Sequence, residues 1–239
     1  MDVNKNSYTF MFASVMVVVV AVALSWAATS LKPAQEKNVE QEKKQNILSS
    51  IEIETTREKA EELYPEYVTE ALVISDNQLK EGVDAFTIDM AKEIGKPIDE
   101  RSAPLYIASK DGKTYFIIPL RGQGLWGPIW GYISLEQDLS TIYGAVFDHQ
   151  KETPGLGAEI KFPVFTEQFK GKEILNENGE LVGIDVRKGD AEEYNEVDGI
   201  GGGTITSDGV EAMISENLQA YIPFLKDYIR NNTTSGAEL

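Results

Sequence analysis

The segment Leu105-Tyr-Ile-Ala-Ser-Lys-Asp-Gly-Lys-Thr-Tyr-Phe-Ile-Ile-Pro-Leu120 reads as two strands, Leu105–Ala108 and Thr114–Leu120, turned at Asp111-Gly112. Aromatic and β-branched residues suit a pleated surface, and Asp-Gly supplies the two left-handed positions of a tight hairpin. Antiparallel pairing therefore organises the fold. Working outward, Thr69–Ile74 precedes the hairpin as a strand, and Ile129–Leu135 and Ile142–Phe147 follow it. Asn178-Gly179 turns another hairpin, from Glu173–Leu175 into Leu181–Val186. Helices flank these strands. Thr55–Tyr67 carries a capping threonine, Thr55 or Thr56, with Glu58 in the first turn. Near the C-terminus Val210, Met213, Ile214, Leu218, Tyr221, Ile222, Leu225, Tyr228 and Ile229 recur at helical spacing. Ser207 or Asp208 is the expected N-cap, and Pro223 should kink or end that helix. The class is α+β: an antiparallel sheet with flanking helices, in one soluble domain over residues 49–230, and a loose polar tail over 231–239.

The N-terminal part differs. Residues 8–31, YTFMFASVMVVVVAVALSWAATSL, carry no charge. As a helix of about 1.5 Å rise per residue they reach roughly 36 Å, enough for a hydrocarbon core of about 30 Å. Trp26 sits where an interfacial aromatic belongs. The apolar run is long, and only Lys5 precedes it as a basic residue, so a retained transmembrane anchor in lipid fits better than a cleaved signal peptide. Pro33 should end the membrane helix, and residues 32–48 read as a polar linker or solvated helix. Lys32, Lys37, Lys43 and Lys44 follow the span, a charge bias that by itself favours a cytoplasmic domain.

Composition removes several functions. The formal net charge is −17, and no basic stripe interrupts it, which argues against nucleic-acid binding. With no cysteine and one histidine, His149, the chain offers no thiolate nucleophile, no cysteine-held iron–sulfur cluster and no His-rich metal site. Redox chemistry here needs an organic cofactor.

Three glycine-rich stretches carry the candidate chemistry: Gly122-Gln-Gly-Leu-Trp-Gly-Pro-Ile-Trp-Gly131, His149-Gln-Lys-Glu-Thr-Pro-Gly-Leu-Gly157 and Asp198-Gly-Ile-Gly-Gly-Gly-Thr204. The third precedes a helix, whose free N–H groups and dipole suit an anion beside the hydroxyl of Thr204, Thr206 or Ser207. Such turns are common, and taken singly each stretch is more often structural. His149 alone is more often a hydrogen-bonded structural residue, and Trp126 and Trp130 more often core.

In this order, the three stretches resemble the FMN-binding domain family, and within it the C-type flavoprotein subunits of Na+-translocating NADH:ubiquinone reductases. The resemblance covers nearly the whole chain. It implies FMN joined by a phosphoester to Thr204, with Asp198, Gly202 and Gly203 before it. The family pattern ends Asp-x-x-Ser/Thr-Gly-Ala-Thr, so Gly201 and Gly203 are departures. It further implies that Glu152, Thr153, Gly155, Leu156 and Gly157 lie at the flavin, with Trp126 and its neighbours Gly124, Leu125 and Gly127 in support. Arg187 and Lys188 either face a reduced, anionic flavin or form a basic turn. The implied role is electron carriage between subunits of a complex that couples NADH oxidation and ubiquinone reduction to Na+ export. The resemblance also implies a flavin transferase that attaches the cofactor, and a soluble domain placed in the periplasm, on the bacterial inner membrane. No dinucleotide fingerprint follows a strand, so NADH oxidation belongs to another subunit. The G-type flavoprotein of an Rnf electron-transport complex shares the chemistry, and a membrane-tethered module without flavin is the reading of a different class.

Overall fold

The computed structural model describes residues 6–235, with side-chain surroundings for residues 6–230. The last four residues of the expected loose tail, 236–239, lie outside the described residues. The chain divides into two units, one ending at Glu42 and one beginning at Lys43.

Helix α1 runs Asn6–Ser50. Its most apolar 18-residue window has a mean hydropathy of 2.4, making it long and apolar enough to cross a membrane. Val17, Val22 and Leu24 along it are each more than 60% exposed. Pro33 does not end the helix. Good helix formers stand on both sides, Ala27, Ala28 and Leu31 before and Ala34 to Lys37 after, and they outweigh the single hydrogen bond a proline removes. The expected linker is thus helical. Its last residues, Ile47 and Leu48, are fully buried and belong to the core of the second unit.

In that unit α2 (Arg57–Tyr67) starts at Thr56, whose hydroxyl accepts from the Lys59 N–H at 3.4 Å. β1 (Val68–Ser75) and β2 (Gln78–Leu79) follow, then the short α3 (Met90–Glu93). β3 (Ala103–Lys110), β4 (Lys113–Gln123), β5 (Pro128–Leu135) and β6 (Ile142–His149) complete an antiparallel sheet of order β2-β1-β3-β4-β5-β6. Lys110 pairs with Lys113 across the expected turn, where Asp111 and Gly112 have φ of 53° and 75°.

The sheet is buried on both faces, which explains why Leu105–Ala108 and Tyr115–Leu120 are each continuous in apolar residues. Alternation sends Leu105, Ile107, Phe116, Ile118 and Leu120 into one core and Tyr106, Ala108, Tyr115 and Ile117 into the other. Ile47, Leu48, Ile51 and Ala60 cover the second face. The first face carries α4 (Pro163–Thr166), with Phe165 and Phe169, and α5 (Thr204–Leu218), with Val210, Met213, Ile214 and Leu218. α5 lies directly on β4: a Cβ at Gly122 would fall 2.7 Å from Met213 Cβ, and one at Gly209 would strike the Gln123 carbonyl. Pro223 does break the C-terminal helix, and α6 (Ile222–Ser235) starts just before it, carrying helix into the stretch expected to be loose.

The second expected hairpin is only partly formed. Leu175 and Leu181 make an isolated bridge around Asn178-Gly179. The chain beyond becomes β7 (Asp185–Arg187), paired in parallel with β8 (Glu196–Asp198), so its ladder partner comes from downstream.

The burial at the end of α1 has a direct test. A soluble fragment starting at Lys43 should unfold cooperatively, whereas one starting at Glu52 should melt at a clearly lower temperature. Within the longer fragment, Ile47→Ala should cost about 2–5 kcal/mol in chemical denaturation.

Candidate functional site

The site forms where the three glycine-rich stretches meet. The first is the β4–β5 turn, closed by the Gly124 N–H donating to the Gly127 carbonyl at 2.9 Å. The second leaves β6. There His149 Nδ1 accepts the Glu152 N–H at 3.2 Å, and the Thr153 carbonyl accepts the N–H groups of Leu156 and Ala158. The third leads from β8 into α5, with Gly202 at φ +77° and its backbone against Leu156, whose Cδ2 a Cβ would meet at 2.7 Å.

Helix α5 begins at Thr204 with Gly203 as N-cap, four or five residues before the expected cap at Ser207 or Asp208. The physical reason lies in Ser207. Its hydroxyl turns back to accept the Ile200 N–H at 3.0 Å and is therefore not free to cap. The helix takes up the chain from Thr204, which stands half-buried as its first residue.

Glu152 links the three stretches. It is 4% exposed, with Oε1 accepting the Trp126 N–H at 2.8 Å and Oε2 accepting the Thr206 hydroxyl at 2.7 Å. The glycines around it leave room for this carboxylate and nothing more: a Cβ at Gly124 would lie 2.6 Å from Oε1, and one at Gly157 would lie 2.5 Å from Oε2.

Thr204 borders two cavities. One, of about 210 Å³, is lined by Leu125, Trp126, Glu152, Thr153, Leu156, Gly157 and Gly202–Thr206. The other, of about 220 Å³, lies towards Arg187, Lys188, Gly199 and Ser207. Gly202 and Thr204 belong to both. The rim of the first is apolar and open: Leu125, Trp126, Leu156 and Ile205 are 47%, 63%, 41% and 57% exposed. A hydrogen bond to Asp185 at 3.1 Å, aided by Glu196, holds the Arg187 guanidinium above its usual pKa and keeps it charged.

Trp126, Glu152, Thr153, Leu156, Gly157, Gly202, Gly203 and Thr204 thus share one cavity. Gly155 and Asp198 line neither. Gly155 sits at the tip of its turn at φ +77°, its N–H on Glu159. The Asp198 carboxylate accepts the Ala191 N–H at 2.9 Å, while Gln168 brackets its backbone N–H and carbonyl. Two contributors have roles that no local signal in the sequence assigns. Thr206 lies two residues past Thr204 and faces inward, a direction visible only once α5 is known to start at Thr204. Gln168 is 30 residues from Asp198, and no short pattern links them.

The two departures from the family pattern differ in kind. At Gly203 a Cβ would sit 3.1 Å from Ile200 Cβ and 3.3 Å from the Gly157 nitrogen, so glycine suits a tight junction. At Gly201 nothing lies within 4 Å, and a larger residue has room.

Fold and site together are those of an FMN-binding domain, and residues 124–219 match the model of that family. The chain is 31% identical over 217 residues to the C subunit of the Na+-translocating NADH-quinone reductase of Vibrio campbellii, covering 81% of this chain and 83% of that one. It is equally 31% identical over 243 residues to the corresponding C subunit of Neisseria meningitidis, covering 90% and 93%. The chain belongs to the family of C subunits of Na+-translocating NADH-quinone reductases. The crystal structure of the C subunit from Parabacteroides distasonis superposes with a TM-score of 0.75 at 44% identity, covering 82% of this chain and 96% of that one. NqrC of Shewanella oneidensis has the same fold, with a TM-score of 0.68 at 23% identity over 81% and 99% of the two chains.

Crowding at the junction makes a prediction. Gly157→Ala should lower unfolding free energy by about 1–3 kcal/mol in a denaturant titration, because its Cβ meets Glu152 and Thr206. Gly201→Ala should stay within about 0.5 kcal/mol of wild type.

Proposed function

We propose that this chain carries FMN through a phosphoester on Thr204 and passes electrons between subunits of a membrane complex that couples NADH oxidation and quinone reduction to Na+ export. The observation that carries this reading is the position of Thr204: a half-buried hydroxyl at the first residue of α5, on the edge shared by two cavities, with Gly202-Gly203 immediately before it.

The residues present fit the group. Gly202 and Gly157 leave space that a side chain would fill, and the cavity beside Thr204 is apolar at its rim. Trp126, Leu156 and Ile205 offer a surface for the isoalloxazine ring, and the ring-side backbone of Thr153 to Gly157 supplies close approach. The N-terminus of α5 favours the negative charge of a phosphodiester at Thr204. Arg187 and Lys188 line the other flank of Thr204 together with Asp208, with Arg187 paired to Asp185 and Glu196. When bound, FMN supplies reversible electron uptake, which no side chain of this chain offers. The protein's part is to hold the group at an open rim and to surround it with fixed dipoles. A covalent link keeps the cofactor in a site exposed enough for electron exchange.

Helix α1 anchors the chain in the bacterial inner membrane as a single span, with the FMN-binding domain in the periplasm. Neighbouring subunits set this orientation against the lysine bias after the span. The named relatives belong to Na+-translocating NADH-quinone reductases, which supports a place for this chain among the other subunits of such a complex. A flavin transferase makes the attachment.

Co-expression with a flavin transferase should raise the intact mass by one FMN less water, give a fluorescent band after denaturation, and map the modification to the Thr204 peptide. Thr204→Ala should abolish all three without lowering the melting temperature, and Thr204→Ser should retain them. An unmodified, colourless chain beside an active transferase would make this a tethered module without flavin. In spheroplasts, added protease should digest the domain; complete protection would reverse the orientation.

A further inference from the structure

We propose that the buried carboxylate of Glu152 sets the reduction potential of the flavin, acting as a positioning residue that places one fixed negative charge in the wall of the cofactor cavity. The inference rests on FMN being carried by Thr204. Glu152 lines the same cavity as Thr204, yet both its oxygens are already engaged by protein groups, the Trp126 N–H and the Thr206 hydroxyl. At 4% exposure it is shielded from the water that would weaken its field. His149 fixes its backbone from behind, and the crowding at Gly124 and Gly157 prevents it from swinging away.

A negative charge held in the wall of the cavity disfavours the addition of electrons to a group in that cavity. Among the described residues lining this cavity, Glu152 is the one that is charged. On the other flank of Thr204 the lining differs: Lys188 and Arg187, the latter paired to Asp185 and Glu196, stand with Asp208. An isoalloxazine ring in the cavity of Leu125, Trp126 and Leu156 would lie beside Glu152. Thr206 moderates the effect, because its hydroxyl dipole points at Oε2 and offsets part of the charge.

The test uses the full chain in detergent, loaded by a co-expressed flavin transferase, with flavin content read by intact mass before each potentiometric titration. Glu152→Gln keeps the shape and both hydrogen-bonding positions, since its amide can donate to Thr206, but removes the charge. Its midpoint potential should shift to more positive values. Glu152→Asp keeps the charge and should remain close to wild type. Thr206→Val strips the compensating hydroxyl and should shift the potential the other way, to more negative values; it carries the test if Glu152→Gln fails to load. A loaded Glu152→Gln protein with a wild-type potential overturns the proposal. So do equal shifts in Glu152→Gln and Glu152→Asp, which would mark loss of fit, and so does an unshifted Thr206→Val where that variant carries the test. A wild-type chain without flavin is a different failure, visible in the mass alone, and strikes the assignment of Thr204.

Discussion

The arrangement around Thr204 depends on one buried side chain. Glu152 reaches the β4–β5 turn through Trp126, 26 residues away, and the first turn of α5 through Thr206, 54 residues away. A carboxylate removed from water must find donors. Here the donors come from two separate segments, so satisfying one group draws three pieces of chain together. The glycines at 124 and 157 follow from this: each stands where a Cβ would collide with a Glu152 oxygen. What looks in sequence like loop flexibility is, at these positions, close packing.

The rigidity of the site continues into the sheet. α5 rests on β4 at Gly122 and Gly209, near enough that side chains at those positions would collide. Asn217, further along the same helix, donates to the Arg121 carbonyl at 2.9 Å, which ties the helix again to the central strand. Thr204 is therefore attached to the best-packed part of the domain, although it lies at the surface.

Much of this is legible in the sequence wherever the signal is local. Asp111-Gly112 specifies its own turn, and the strands around it show their residue types. Thr56 caps α2 because its partner is three residues away. Expectation and structure part where a group has a distant or competing partner. Ser207 has the right chemistry for an N-cap, but the Ile200 amide claims its hydroxyl, and the helix begins at Thr204 instead. Leu181–Val186 has the composition of a hairpin arm, but Val186 pairs with Val197 in a parallel ladder. Pro33 is a helix breaker in isolation, and its neighbours overrule it. The motifs bring most of their residues to one cavity; Gly155 and Asp198 line neither cavity beside Thr204, with the Asp198 carboxylate accepting the Ala191 N–H and its backbone held by Gln168.

The early start of α5 bears on how Thr204 is presented. A threonine in the first turn of a helix packed on a sheet is presented as part of a surface, with Gly202 in a left-handed bend and Leu156 pressed against it. The hydroxyl of Thr204 thus belongs to a shape assembled from stretches far apart in the chain, and a linear peptide of the same residues does not reproduce that contour.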